Sequence, residues 1–91
     1  MIATFSDNST RTIPDDLITD DLKIVGMDSE GDLVAESHGM LFPLTHCCLA
    51  SGKGAECETG VVCRSCYEEV DPIYGAVYED ADVQVRLISI A

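Results

Sequence analysis

All five cysteines of the chain and one of its two histidines fall between His46 and Cys66, a crowding of thiols suited to holding a metal ion. Cys63 and Cys66 form a Cys-x-x-Cys pair, whose spacing lets both sulfurs reach a single ion about 2.3 Å away. A four-coordinate site needs a second pair, set apart from the first by a longer loop. The candidates are His46, Cys47, Cys48 and Cys57. Fourteen residues separate Cys48 from Cys63, a usual length for such a loop.

Consecutive residues of an extended strand point opposite ways, so Cys47 and Cys48 can share an ion only where the backbone turns. His46 and Cys48 lie on one side of an extended chain, which makes three cysteines and a histidine the competing set. Cys57 ranks last, because Glu56 and Glu58 beside it disfavour a thiolate. The expectation is one structural zinc on Cys47, Cys48, Cys63 and Cys66, with His46 as the substitute ligand of the first pair. Four thiolates around a dication leave two negative charges uncompensated. Backbone N–H groups at the start of a short helix after Cys63, with Arg64 and Lys53 nearby in sequence, are expected to offset them.

Other chemistries fit the residues less well. A thiol–disulfide exchange role for Cys63-Arg64-Ser65-Cys66 would want a βαβ setting, for which a chain patterned mostly as hairpins has little room. A zinc deaminase needs His-x-Glu followed by Pro-Cys-x-x-Cys, whereas His38 precedes Gly39-Met40 and Val62 precedes Cys63. His38 reads as a loop histidine. Asp28-Ser29-Glu30-Gly31-Asp32 lacks the twelve-residue frame and flanking helices of an EF-hand, and reads as a solvated turn. No residue is assigned a catalytic role.

The elements that must position the cluster are mostly strands. Ile2, Thr4 and Phe5 face Thr10, Thr12 and Ile13 across a Ser6–Ser9 turn, the pattern of a hairpin. Pro14 stops that strand, and Asp15–Asp21 forms an acidic connection with room for one helical turn. Leu22–Met27 and Leu33–Glu36 form a second hairpin around residues 28–32. Residues 38–45 carry the chain into the cluster, and Leu49–Cys57 is a Gly-rich loop or hairpin tip. Cys63–Val70 is the candidate short helix, ended by Asp71-Pro72. Val83–Ile90 alternates as a strand that closes the sheet. No internal repeat and no domain linker stand out.

The 91 residues make one domain, and a chain of that length buries only about 60–65% of its unfolded surface. With no Trp, two Phe and three Tyr, a metal or other cross-link is expected to supplement the core. Seventeen acidic residues against five basic ones give a formal charge of −12. Direct nucleic-acid binding is disfavoured, since phosphate neutralisation needs clustered cations and Arg11, Lys23, Lys53, Arg64 and Arg86 are scattered. A protein partner with a basic surface is the sharper implication of that charge. The N-terminal Met-Ile-Ala-Thr-Phe-Ser-Asp lacks the basic start and apolar core of a secretory signal, and no apolar run approaches the roughly 18 residues of a membrane span. A reducing cytoplasm, where clustered cysteines hold metal more often than they pair, is the expected setting.

The string Thr45-His46-Cys47-Cys48, Ser51-Gly52-Lys53-Gly54 and Gly60-Val61-Val62-Cys63-Arg64-Ser65-Cys66-Tyr67 resembles small zinc-ribbon or treble-clef-like proteins. It is especially similar to those encoded by actinobacteria and their phages. The resemblance covers about residues 45–71 and implies a structural zinc and a cytoplasmic setting, the host cytoplasm for a phage-encoded chain, without implying an activity. The chain departs from the ordinary ribbon in having no Cys-x-x-Cys in its first half. The expected fold is a small β-rich α+β domain over 1–91, with hairpins in 1–44, a zinc-binding element with one short helix in 45–71, and a closing strand in 72–91. The expected function is non-enzymatic protein binding, with a phage-encoded factor acting on a host protein as one form of it. The alternative is an acidic mimic of DNA that inhibits a nucleic-acid-binding protein, and thiol–disulfide exchange is the third.

Overall fold

The computed structural model describes residues 1–91 as eight short strands and two single-turn 3-10 helices, with no α-helix. Strands β1 (Ile2–Phe5), β2 (Thr10–Thr12), β3 (Lys23–Met27), β4 (Leu33–Ser37), β5 (Met40–Pro43) and β8 (Val85–Ile90) form one antiparallel sheet in the order β2-β1-β8-β3-β4-β5. Strands β6 (Gly52–Gly54) and β7 (Val61–Cys63) pair separately as an antiparallel ribbon.

Local chemistry explains the hairpins. In the β1–β2 turn Asn8 takes a left-handed conformation (φ 69°), one that asparagine tolerates well, while Asp7 Oδ1 accepts the Ser9 N–H at 3.0 Å. Between β3 and β4 the buried Asp28 accepts the N–H groups of Glu30 (3.0 Å) and Asp32 (2.9 Å), and Gly31 supplies the positive φ. His38 and Gly39 are both left-handed (φ 51° and 78°), which is the requirement of a two-residue hairpin loop, and they join β4 to β5. Strand β5 lies in the stretch expected to act only as a lead into the cysteines. The final strand, β8, enters the middle of the sheet between β1 and β3 rather than its edge.

One face of the sheet is covered. Ala3, Phe5, Ile13, Ile24, Met27, Leu33, Ala35 and Leu44 form the main core, with Leu17 and Ile18 of the acidic connection, and Leu22 just after it, packed against it. A second, much smaller core consists of Val61, Cys63, Val70 and Tyr74 under the ribbon. No helix is long and apolar enough to cross a membrane.

The helix expected over Cys63–Val70 does not form. Cys63 ends β7, the chain reverses through Cys63–Tyr67, and Val62 then bridges Glu69 while Val70 N–H returns to Val61 O at 3.1 Å. Tyr67 sits at φ 61°, outside the helical region, and the strand-forming Val61-Val62 extends the chain right up to the first thiol. Asp71-Pro72 begins an element rather than ending one. Asp71 Oδ1 accepts the Ile73 N–H at 3.0 Å, and Pro72, needing no donor of its own, opens the 3-10 helix Pro72–Gly75. A second such turn, Asp80–Asp82, precedes β8.

Candidate metal centre

Two tight turns bring four thiols together. The first, Thr45–Leu49, follows β5 and leads into β6. The second, Cys63–Tyr67, follows β7. Pairing of Gly52 with Cys63 in the ribbon sets the two turns side by side. Gly52 is required there: a Cβ at this position would run into the Tyr74 backbone carbonyl, so only glycine lets the 3-10 helix seat against the ribbon.

The Sγ atoms of Cys47, Cys48, Cys63 and Cys66 all lie within 4.8 Å of one another and can hold one metal ion. A tetrahedral ion with metal–sulfur bonds of about 2.3 Å places its sulfurs about 3.8 Å apart. Cys47 Sγ and Cys66 Sγ stand at 3.8 Å. The adjacent pair Cys47–Cys48 shares the site because the backbone turns between Thr45 and Leu49, with Leu49 left-handed at φ 52°. Cys63 is fully buried in the small core, whereas Cys47, Cys48 and Cys66 are exposed.

The four clustered thiols do not ionise alike. Burial pushes the Cys63 thiol up, but the Thr45 hydroxyl and the N–H groups of Cys66 and Ser65 outweigh it and hold the group down at about 6. Its neighbours then resist ionising. Cys48 is pushed up to about 12 by Cys66 and Cys47, and burial adds to the shift. At Cys66 the Glu68 N–H lowers the pKa, yet burial with Cys63 and Cys47 leaves it raised. Several thiolates at such separations repel unless a cation lies between them. The compensating N–H groups come from the turn itself, in place of the expected helix start.

Two cations flank the cluster. Lys53 Nζ lies 5.4 Å from the centroid of the Tyr67 ring, and Arg64 Nε donates to Ser51 Oγ at 2.9 Å. Neither is in an ion pair, since the molecule's two ion pairs join the Met1 amino group to Asp15 and Arg86 to Asp80.

The other candidate ligands are elsewhere. His46 turns its ring to Tyr74, with Nδ1 3.1 Å from the phenolic oxygen. That oxygen gives its proton to Asp32 Oδ2 (2.9 Å), so His46 Nδ1 must be the donor. Cys57 lies at the far end of the ribbon, its Sγ 3.8 Å from Thr59 Oγ1 and 3.7 Å from Val61 O. His38 stays in its hairpin turn. One participant was not singled out from the sequence. Thr45 is completely buried, and its Oγ1 lies 3.4 Å from Cys63 Sγ. A lone threonine before a His-Cys-Cys string carries no spacing signal.

Between the ribbon and the edge of the main sheet runs an open concavity of about 320 Å³. Met40, Phe42 and Val77 give it an apolar floor, and Ser51 and Arg64 of the cysteine-bearing element form one wall. Met40 and Val77 are exposed, Val77 by 61%. No protein-family model matches the chain, and no curated protein and no solved structure is significantly similar to it.

Proposed function

We propose that the chain is a non-enzymatic binding module whose cysteine-bearing half is a ribbon-like element folded around one structural zinc ion. The convergence of the Cys47, Cys48, Cys63 and Cys66 sulfurs within 4.8 Å carries this reading. An all-thiolate set favours a soft or borderline dication, and four protein ligands close the coordination sphere, leaving no open position for a substrate or an activated water. Closed sites of this kind supply folding energy, about 10–16 kcal/mol for structural zinc at neutral pH, to elements with too little core. The four-residue core around Cys63 is such a case.

The binding surface in this reading is the concavity beside the metal-bearing turns, where Met40 and Val77 offer exposed apolar area next to Arg64. Elemental analysis of the purified chain is expected to give one zinc per molecule, and a strong chelator to collapse the NMR dispersion of residues 45–78. Unchanged spectra and thermal stability after complete metal removal would sink the proposal. Val77→Asp is expected to keep the metal while abolishing association with a protein partner from the cognate cell.

A second reading, an acidic inhibitor that occupies the basic groove of a nucleic-acid-binding protein, is favoured by the surface charge. Of seventeen acidic side chains only Asp15 and Asp80 are in ion pairs. Salt separates the two readings, because a charge-driven complex weakens steeply between low and moderate ionic strength and an apolar contact does not.

A further inference from the structure

The turns Thr45–Leu49 and Cys63–Tyr67 have the same backbone hydrogen bonds on unrelated sequences. In each, the first carbonyl accepts the N–H four residues on: Leu49 to Thr45 and Tyr67 to Cys63, both at 2.8 Å. In each, the first N–H is given to the carbonyl five residues on, Thr45 to Ala50 at 2.7 Å and Cys63 to Glu68 at 2.8 Å. The fifth residue is left-handed in both, Leu49 at φ 52° and Tyr67 at φ 61°. Matched position by position, Cys48 corresponds to Cys66, Cys47 to Ser65, and Thr45 to Cys63.

We infer that Thr45 stands at a metal-ligand position that carries no thiol and acts as the positioning residue for Cys63, while Cys47 supplies the fourth sulfur from two residues further on. The inference rests on reading the four thiols as a ligand set. Thr45 Oγ1 accepts the Ala50 N–H at 3.2 Å and lies 3.4 Å from Cys63 Sγ in a fully buried setting; with Cys63 ionised as a ligand, the sulfur has no proton to give and the hydroxyl is the donor of that contact. That oxygen is slightly nearer to Cys63 than the roughly 3.8 Å at which a fourth sulfur of a tetrahedral site would stand. A hydroxyl there fixes the buried thiolate and offsets part of its charge, as groups behind metal ligands commonly do. A cysteine there would meet the ion directly.

Cobalt(II) titrated into the full-length chain tests this, because thiolate-to-cobalt charge transfer reports how many thiolates bind and how they are hydrogen-bonded. Cys47→Ser is expected to lose the four-thiolate spectrum, and Thr45→Cys added to it to restore that spectrum from two Cys-x-x-Cys pairs. Thr45→Val is expected to shift the charge-transfer band to longer wavelength and weaken cobalt about 10-fold or more, with Thr45→Ser restoring both. A double variant as impaired as Cys47→Ser alone overturns the equivalence of positions 45 and 63. A Thr45→Val spectrum and affinity equal to wild type overturn the positioning role, and decide the matter if the double variant fails to fold. A wild-type chain that takes up no cobalt through thiolates overturns both this inference and the metal-binding reading beneath it.

Discussion

At the scale of single residues, the cysteines divide by where their sulfurs go. Cys63 is anchored in the small core and hydrogen-bonded on several sides, and Cys66 reaches the same point from three residues on. Cys57 lies at the other end of the ribbon on a backbone carbonyl and a threonine hydroxyl. Cys66→Ser is therefore expected to remove bound metal and unfold residues 45–78, read by metal content and amide dispersion. Cys57→Ser should leave metal content intact and move stability by no more than about 0.5 kcal/mol, as an ordinary peripheral substitution does. Equal metal loss in the two variants would mean that the four-sulfur assignment is wrong. The convergence of Cys48, Cys63 and Cys66 was legible in the sequence, because the spacing of close cysteine pairs is a local property. Whether Cys47 or His46 joins Cys48 was not, since it depends on a turn at Thr45–Leu49 and on a hydroxyl of Tyr74, 28 residues away, that claims the imidazole.

At the scale of elements, the helix expected after Cys63 is the main error, and its cause is instructive. The composition of Cys63–Val70 tolerates a helix, but the ribbon imposes an extended Val61-Val62 before it and an antiparallel return after it. Tertiary pairing overrides so weak a local preference. The cysteine-bearing half is joined to the main sheet by two phenols: Tyr74 donates to Asp32 and Tyr78 donates to Asp28, each at 2.9 Å. Both carboxylates belong to the β3–β4 turn region, so the connection spans elements more than forty residues apart in sequence. Burial, then the hydrogen-bonded carboxylate, raises both phenol pKa values well above the usual range near 10. A folded pKa above the unfolded one gives stability that is complete below about pH 10 and is lost as pH climbs through the folded value. Unfolding midpoints measured from pH 8 to 12 should accordingly fall above about pH 10. Tyr78→Phe should flatten that fall and cost about 1–2 kcal/mol at neutral pH, where one hydrogen bond to a charged group is removed. A variant whose alkaline profile matched wild type would show that the phenol takes no part.

At the scale of the whole molecule, the two hairpins and the last strand were readable because turn residues and alternation are local. The strand order was not. Nothing local specifies that β8 inserts between β1 and β3, or that β5 extends the sheet before the chain departs for the cysteine-bearing turns. Those pairings follow from burying Phe5, Ile24 and Leu33 in one shared core, a condition met only by the assembled chain. Net charge is likewise a property of the whole. A formal −12 with two ion pairs leaves Asp16, Asp20 and Asp21 with no cation within bonding reach, and pocket walls such as Asp20, Asp21 and Glu36 bring carboxylates together around Lys23 alone. A zinc-loaded cluster of four thiolates would add to the excess. Self-repulsion of this kind opposes the compact state and is screened over a Debye length that shrinks from about 30 Å at 0.01 M salt to about 8 Å at 0.15 M. Thermal stability should therefore rise between those two salt concentrations, with metal held saturating throughout. The two surface ion pairs act in the opposite sense but are worth at most about 1 kcal/mol each, and usually less. A melting temperature that fell with added salt would mean that those few pairs, and not the collective repulsion, govern the electrostatics of the fold.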